Sequence, residues 1–226
     1  DLFDWAAGRY DNGYGPRVDD SGKALSREHD LTVIRHERGV IFVKPARPEG
    51  ISYFVVVDRV LGDGAEVHTY SNLFHLDASA ASVDDDTLRV STQDAQAANL
   101  TLIPLATEAL SVRLVSGQDE PVQGWIPRQN HRKIPTAIYE KTGPAPQLFV
   151  TVLLPYPTPN APAFEAKLIK QTGDMIAIET VMGDDTDAIL YAFDQRMRME
   201  AGGISADARL AVVRRSEEHG LSAGVF

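Results

Sequence analysis

Along most of this chain apolar and polar positions alternate with a period of two, in short runs cut by Gly, Pro, Asn and Asp. That spacing belongs to strands with one face in a core. It predicts strands over 31–36, 39–44, 53–60, 65–76, 87–91, 99–104, 110–115, 122–126, 137–141, 148–154, 166–170, 175–181, 188–193 and 208–214. The runs are β-branched and aromatic, and turn sequences such as LGDGAE, SGQDEP, KTGPAP, QTGD and MGDD punctuate them at intervals of roughly 8 to 14 residues. This is the rhythm of an antiparallel sandwich or barrel. The uninterrupted apolar runs YFVVV and LFVTVLL predict central strands covered on both faces, and two layers fit best. Helical periodicity is nearly missing, with 91–99 (STQDAQAAN) worth a single helical turn.

The expected fold class is therefore all-β, a large antiparallel β-sandwich of two layers. Residues 1–226 read as a single domain with a loop-rich entry at 1–29. The Pro-rich stretch 155–162 (PYPTPNAP) is not suited to a central strand and is read as a surface crossover between the first block of strands and the last. A division into two lobes at that point is the alternative.

Composition removes several function classes. A chain of 226 residues with 43% hydrophobic content buries a full core. The formal net charge is −10 and the 22 basic residues are scattered singly or in pairs, which leaves no footprint for nucleic acid. Cysteine is absent, so disulfides, thiolate metal sites and Cys nucleophiles go together. No run approaches the ~20 apolar residues of a membrane helix, and no membrane partner is expected. The sequence begins DLFDWAAGRY without an initiator Met or signal segment and stops at LSAGVF, where a strand pattern has just begun, so it reads as a piece of a longer chain.

The chemistry-bearing residues that stand out first are His36, Asp58 and His75. A metal site would need all three to converge on one tetrahedral centre, which their spacing does not support. Alternation places Asp58 on the side of Phe54 and Val56, opposite Tyr53, Val55 and Val57. A carboxylate there needs a partner, and Arg38 or Arg35 on the preceding strand supplies it in a cross-strand ion pair. That reading is preferred, with no metal and no cofactor. His36 is then a hydrogen-bonding residue at a strand end, and His75 a half-buried imidazole. The carboxylates of VDDD at 83–86 and GDDTD at 183–187 lack the glycine and glutamate of an EF-hand loop and read as solvated turns, a weak surface calcium site being the alternative. There is no G-x-S-x-G, no H-E-x-x-H and no phosphate loop.

Tyr10, Tyr14, Trp125, Arg128, His131 and Arg132 lie in Gly-, Asn- or Pro-containing stretches read as loops, where a rigid scaffold can offer side chains to a ligand. Flat rings suit sugar faces, and guanidinium groups pair well with uronate carboxylates or sulfates. From this set Tyr14, Trp125, Arg128 and His131 are taken as substrate-facing, and none as catalytic. The competing reading of Trp125 is that it belongs to the core.

The order of motifs GRYDNGYG, HERGVIFVKP, YFVVVDRV, HTYSNLFHL, GWIPRQNHRKIPTAIYE and LFVTVLLPYP resembles the C-terminal β-sandwich of heparinase II/III-like proteins over 8–156. Those are polysaccharide lyases and relatives in which an α/α-toroid domain precedes the sandwich. The resemblance implies a parent that acts by β-elimination on uronic-acid-containing polysaccharide, periplasmic or secreted. Its partners would be an acidic polysaccharide and a missing N-terminal toroid of the same chain. The lyases carry Asn, His and Tyr groups on the toroid, with an H-x-H segment and a His-Asn pair early in the β region. Neither pattern occurs here. The chain is therefore expected to be non-catalytic alone and to shape or support the substrate cleft, with an autonomous carbohydrate-binding module or a purely structural sandwich as alternatives.

Overall fold

The computed structural model describes residues 2–11, 21, 34–45, 47, 50–62, 66–127, 131–157, 160–216 and 220–226. The first strands are β1 (Phe3–Tyr10), β2 (Arg35–Val43), β3 (Tyr53–Leu61) and β4 (Val67–His75), followed by β5 (Ala81–Asp84), β6 (Arg89–Thr92), β7 (Asn99–Pro104) and β8 (Ser111–Val115). Short pieces β9 (Gln118–Asp119), β10 (Val122–Gln123), β11 (Trp125–Ile126) and β12 (Arg132–Lys133) precede the long β13 (Thr136–Pro144) and β14 (Gln147–Tyr156). The last block holds β15 (Glu165–Gln171), β16 (Met175–Met182), β17 (Asp185–Ala192), β18 (Met197–Ala201), β19 (Ile204–Ala208), β20 (Leu210–Ser216) and β21 (Gly220–Val225). No helix occurs among the described residues, and every strand pair there is antiparallel.

Two sheets make the sandwich. The larger has seven strands in the order β1-β2-β3-β14-β7-β6-β5, and the other has five in the order β15-β16-β17-β20-β21. Alternation on β3 and β14 turns Tyr53, Val55, Val57, Val150, Val152 and Leu154 into the space between them, where they meet Ile176, Ile178, Ile189, Leu210 and Val212. Each such side chain contributes about 1.5–3 kcal/mol by leaving water. The opposite face of the large sheet is covered over β14, β7 and β6 by a third, three-stranded sheet, β4-β13-β8, through Tyr70, Ala137 and Tyr139 against Val90, Leu102 and Phe149. The apolar runs are covered on both faces as the sequence implies, by two principal layers and this smaller sheet. The β18–β19 hairpin packs Met199 and Ala208 on the far side of the five-stranded sheet.

Because the small sheet covers only part of that face, Ala6, Gly8, Tyr10 and Arg38 on β1 and β2 stay exposed, and a step forms where the edge strand β4 stands over β2 and β3. This step positions the candidate site.

Four local expectations give way to tertiary contacts. The entry region contains β1, which pairs with β2 along its whole length and anchors Trp5 edge-on against Tyr191 and Phe226. The predicted break at 37–38 is absent, and β2 is one strand through Gly39. A Cβ at Gly39 would lie 2.7 Å from the Tyr191 hydroxyl, so the glycine marks a close approach by the other sheet and not a turn. The Pro-rich stretch begins inside a strand: Pro155 is the penultimate residue of β14, paired with Leu100 of β7 after the pairing with β3 has ended at Leu153. A residue without an N–H is tolerated where a strand has only one neighbour. Finally, 93–98 is a loop, not a helical turn, held by the Asn99 side chain, which accepts from the Asp94 N–H at 2.8 Å and donates to the Asp94 carbonyl at 2.9 Å.

Candidate functional site

Asp58 points out of β3 on the face away from the five-stranded sheet, opposite Arg38 of β2 and Phe149 of β14. Its residue is only 2% exposed, so the carboxylate depends on protein partners. It has four. His36 Nε2 lies 2.6 Å and Arg38 Nε 2.6 Å from Oδ1, while Arg38 Nη2 and Asn72 Nδ2 each reach Oδ2 at 3.1 Å. Arg38 Nη2 also donates to Asn72 Oδ1 at 3.3 Å. An ionised carboxylate only accepts, so the shared hydrogen sits on His36 Nε2. Burial alone would raise the Asp58 pKa; the hydrogen bonds from His36 and Arg38 and the guanidinium charge outweigh it and hold the carboxyl below its ordinary value. The cross-strand ion pair expected for Asp58 is present, with Arg38 as its partner.

A hollow of about 320 Å³ opens beside this cluster. Its walls are His36 and Arg38 on one side and β4 from His68 to Leu73 on the other, over an apolar floor that includes Val60 and Phe149. The volume falls in the range of small-ligand sites, about 300–1,000 Å³. Among the described residues β4 is an edge strand, and its residues line the hollow alongside an imidazole and a guanidinium. Such a wall can hydrogen-bond hydroxyls and carboxylates. Asp58 fixes the orientation of His36 and Arg38 together, which pre-sets the remaining N–H groups of the guanidinium beside the imidazole ring.

Of the sequence-derived candidates, His36 and Asp58 come together and His75 stays apart, hydrogen-bonded through Nδ1 to Thr136 Oγ1 at 3.0 Å. Among the described residues no three His, Asp or Glu side chains gather in a way that could hold a metal ion. Trp125 is half-buried on β11, its indole N–H donating to the Gln118 carbonyl at 2.9 Å and its ring under the Lys133 ammonium at 5.3 Å. It belongs to none of the three main core clusters. His131 is exposed in the β11–β12 turn at φ 58°, next to Arg132, which pairs with Asp77. Tyr10 ends β1 opposite His36. Tyr14 and Arg128 lie outside the described residues. Neither Trp125 nor His131 lines the His36 hollow.

Sequence reasoning missed Asn72, Tyr70 and His68. The available signal was period-two alternation along HTYSN, which puts these three on one face of β4, with the two polar ends flanking a tyrosine that is nearly buried.

No family model matches the sequence, and no curated protein matches it. Solved structures do. The heparan sulfate lyase HepC from Pedobacter heparinus is 20% identical, with a TM-score of 0.57 over 73% of this chain and 25% of that one. A heparinase III with methylated lysines is also 20% identical, with a TM-score of 0.55 over 71% of this chain and 24% of the other. A further heparinase III structure is 17% identical, with a TM-score of 0.54 and coverages of 73% and 24%. The chain spans about a quarter of the length of these structures, and at such identities the likeness is one of fold. The fold of this chain is thus similar to that of one part of heparinase III structures, in agreement with the resemblance carried by the order of its sequence motifs.

Proposed function

We propose that this chain is the β-sandwich portion of a polysaccharide lyase-related protein that acts by β-elimination on uronic-acid-containing polysaccharide. In this reading the chain forms a single unit, is non-catalytic alone, and shapes one wall of a substrate cleft. The observation that carries the proposal is the fold likeness to heparan sulfate lyase over 73% of the chain. The His36 hollow agrees with it, since it offers donors suited to sugar hydroxyls and carboxylates.

The division of labour follows from chemistry. Elimination needs a base for the proton next to the carboxylate, an acid for the leaving oxygen, and neutralisation of the developing charge, all held together. The His36 cluster supplies a guanidinium and an imidazole whose Nε2–H is held by Asp58, and among the described residues no acid or base other than Asp58 is hydrogen-bonded to His36. A module that binds carbohydrate on its own is the second reading, favoured by the size of the same hollow.

Incubating the purified chain with heparin-like and alginate-like polymers tests the proposal. No unsaturated uronate, read by its ultraviolet absorbance, is expected from the chain alone. Accumulation of that product, abolished by His131→Ala or Tyr14→Phe, would show that the chain is itself a catalyst. Binding of uronate oligosaccharides on a glycan array, lost in Arg38→Met, would favour the binding module.

A further inference from the structure

Lys141 occupies a position that the strand pattern otherwise gives to core. On β13, Ala137 and Tyr139 face the large sheet at 0% and 1% exposure, and Lys141, two residues further along the same face, is 8% exposed. Its ammonium lies 5.7 Å from the centroid of the Phe149 ring. Among the described residues it has no hydrogen bond and no ion pair. The other two buried cations among the described residues are paired, Arg59 with Glu37 and Asp194, and Arg214 with Asp187. Burial lowers the Lys141 pKa, and the charge of Glu108 offsets this only in part. A cation of this kind carries a desolvation cost that the face of one aromatic ring compensates weakly.

The lysine lines a hollow of about 770 Å³ where the β7–β8 connection, the β13–β14 turn and the β15–β16 turn meet. Arg59, whose charge is taken by Glu37 and Asp194, and the anionic Glu108 line it too, with Thr142, Gln147 and Thr172 as neutral polar groups and Leu148 as apolar surface. The volume is within the about 300–1,000 Å³ of ligand sites. The formal net charge of −10 works against diffuse attraction of anions, so an anion held here would be held by Lys141, the lining cation that has no carboxylate partner among the described residues.

We infer that this hollow is an acidic-saccharide site, in which Lys141 takes the carboxylate of a uronate unit and the neutral side chains take its hydroxyls. The choice of a saccharide rests on the proposed function; the choice of an anion rests on Lys141 itself. A carboxylate supplies the charge-assisted hydrogen bond that the ammonium lacks. This site is distinct from the hollow at His36, which has none of the same lining residues.

Calorimetric titration of the intact chain with a uronate oligosaccharide and with its neutral counterpart tests the inference, using Lys141→Met, Lys141→Arg and, as a control, Lys167→Met. Thermal unfolding confirms that each variant is folded. At least a tenfold preference for the uronate is expected, lost in Lys141→Met, partly kept in Lys141→Arg and unchanged in Lys167→Met. Undiminished preference in folded Lys141→Met would overturn the inference. If that preference were instead lost in Arg38→Met, the saccharide would belong to the His36 hollow, and the proposed function would stand without the Lys141 site. Acetate bound as tightly as the oligosaccharide would overturn the saccharide assignment, and absence of any binding to the unmodified chain would overturn the site altogether.

Discussion

Asp58 and Asp187 are both buried aspartates gripped by an arginine, and they sit in very different surroundings. Asp187 on β17 receives Arg214 Nε at 2.6 Å and Nη2 at 2.7 Å, and the Tyr53 hydroxyl at 2.7 Å. Tyr53 comes from the other sheet and also meets Thr180 Oγ1 at 2.8 Å, while Arg214 Nη1 donates to the Lys44 carbonyl at 3.0 Å. Burial, with the negative charge of Asp187 beside it, pushes the Tyr53 hydroxyl well above its ordinary pKa. Here Tyr53, Thr180 and Arg214 are all buried, and the Arg214 side chain is 5% exposed. At Asp58 the carboxylate is equally hidden, but Arg38 is 46% and His36 26% exposed along their side chains. The same pairing chemistry therefore joins two sheets in one place and presents a guanidinium and an imidazole to an open hollow in the other. What separates a structural pair from a candidate site is the exposure of the cation, not the burial of the acid.

The largest effect is expected at the sealed pair. Asp187→Ala leaves Arg214 charged and unpaired between the sheets and removes the acceptor of Tyr53, at a cost of about 3–5 kcal/mol in denaturant unfolding. A loss below about 1 kcal/mol would mean that water reaches Arg214 and would erase the contrast with Asp58.

Asp58→Ala is expected to cost less, about 1–3 kcal/mol, because His36 and Arg38 can turn toward solvent once released. Equal losses at the two aspartates would break the comparison.

The smallest effect is a pH dependence. The Asp58 carboxyl is held below its ordinary value of 3.8, so its stabilising contribution is complete above that value and is lost as pH falls through the lower folded-state pKa. The stability gap between the unmodified chain and Asp58→Asn should be widest near neutral pH and close at a pH below about 4. A gap that stayed constant through acid unfolding would show that the hydrogen-bonded geometry, and not the charge, is what Asp58 contributes.

Much of the architecture was written locally. The strands β3, β7, β14 and β16 are legible because side-chain alternation is a property of the extended backbone itself, and their apolar runs state that both faces are covered. An arginine partner for Asp58 on the preceding strand was legible for the same reason, since the two strands follow one another in the chain and a buried carboxylate among valines has to find a cation; the register then selects Arg38 over Arg35. The weaker elements were not. FDWAAGRY has little apolar alternation, and β1 exists because β2 offers it a ladder and Tyr191 and Phe226 hold Trp5. A break at 37–38, just before Gly39, is what the sequence suggests until the Tyr191 ring is seen against the glycine.

The two hollows were beyond local reading altogether. Asn72 reaches Asp58, and Lys141 reaches its hollow, only because the small sheet lies across the large one with β4 at the step. The amino-acid order determined the strand identities, the all-β class and the need of Asp58 for a cation, because these follow from backbone period and desolvation. The packing of one sheet on another decided which cation stays exposed and which polar groups share a cavity, because those depend on contacts between segments far apart in the chain, for which no local pattern exists.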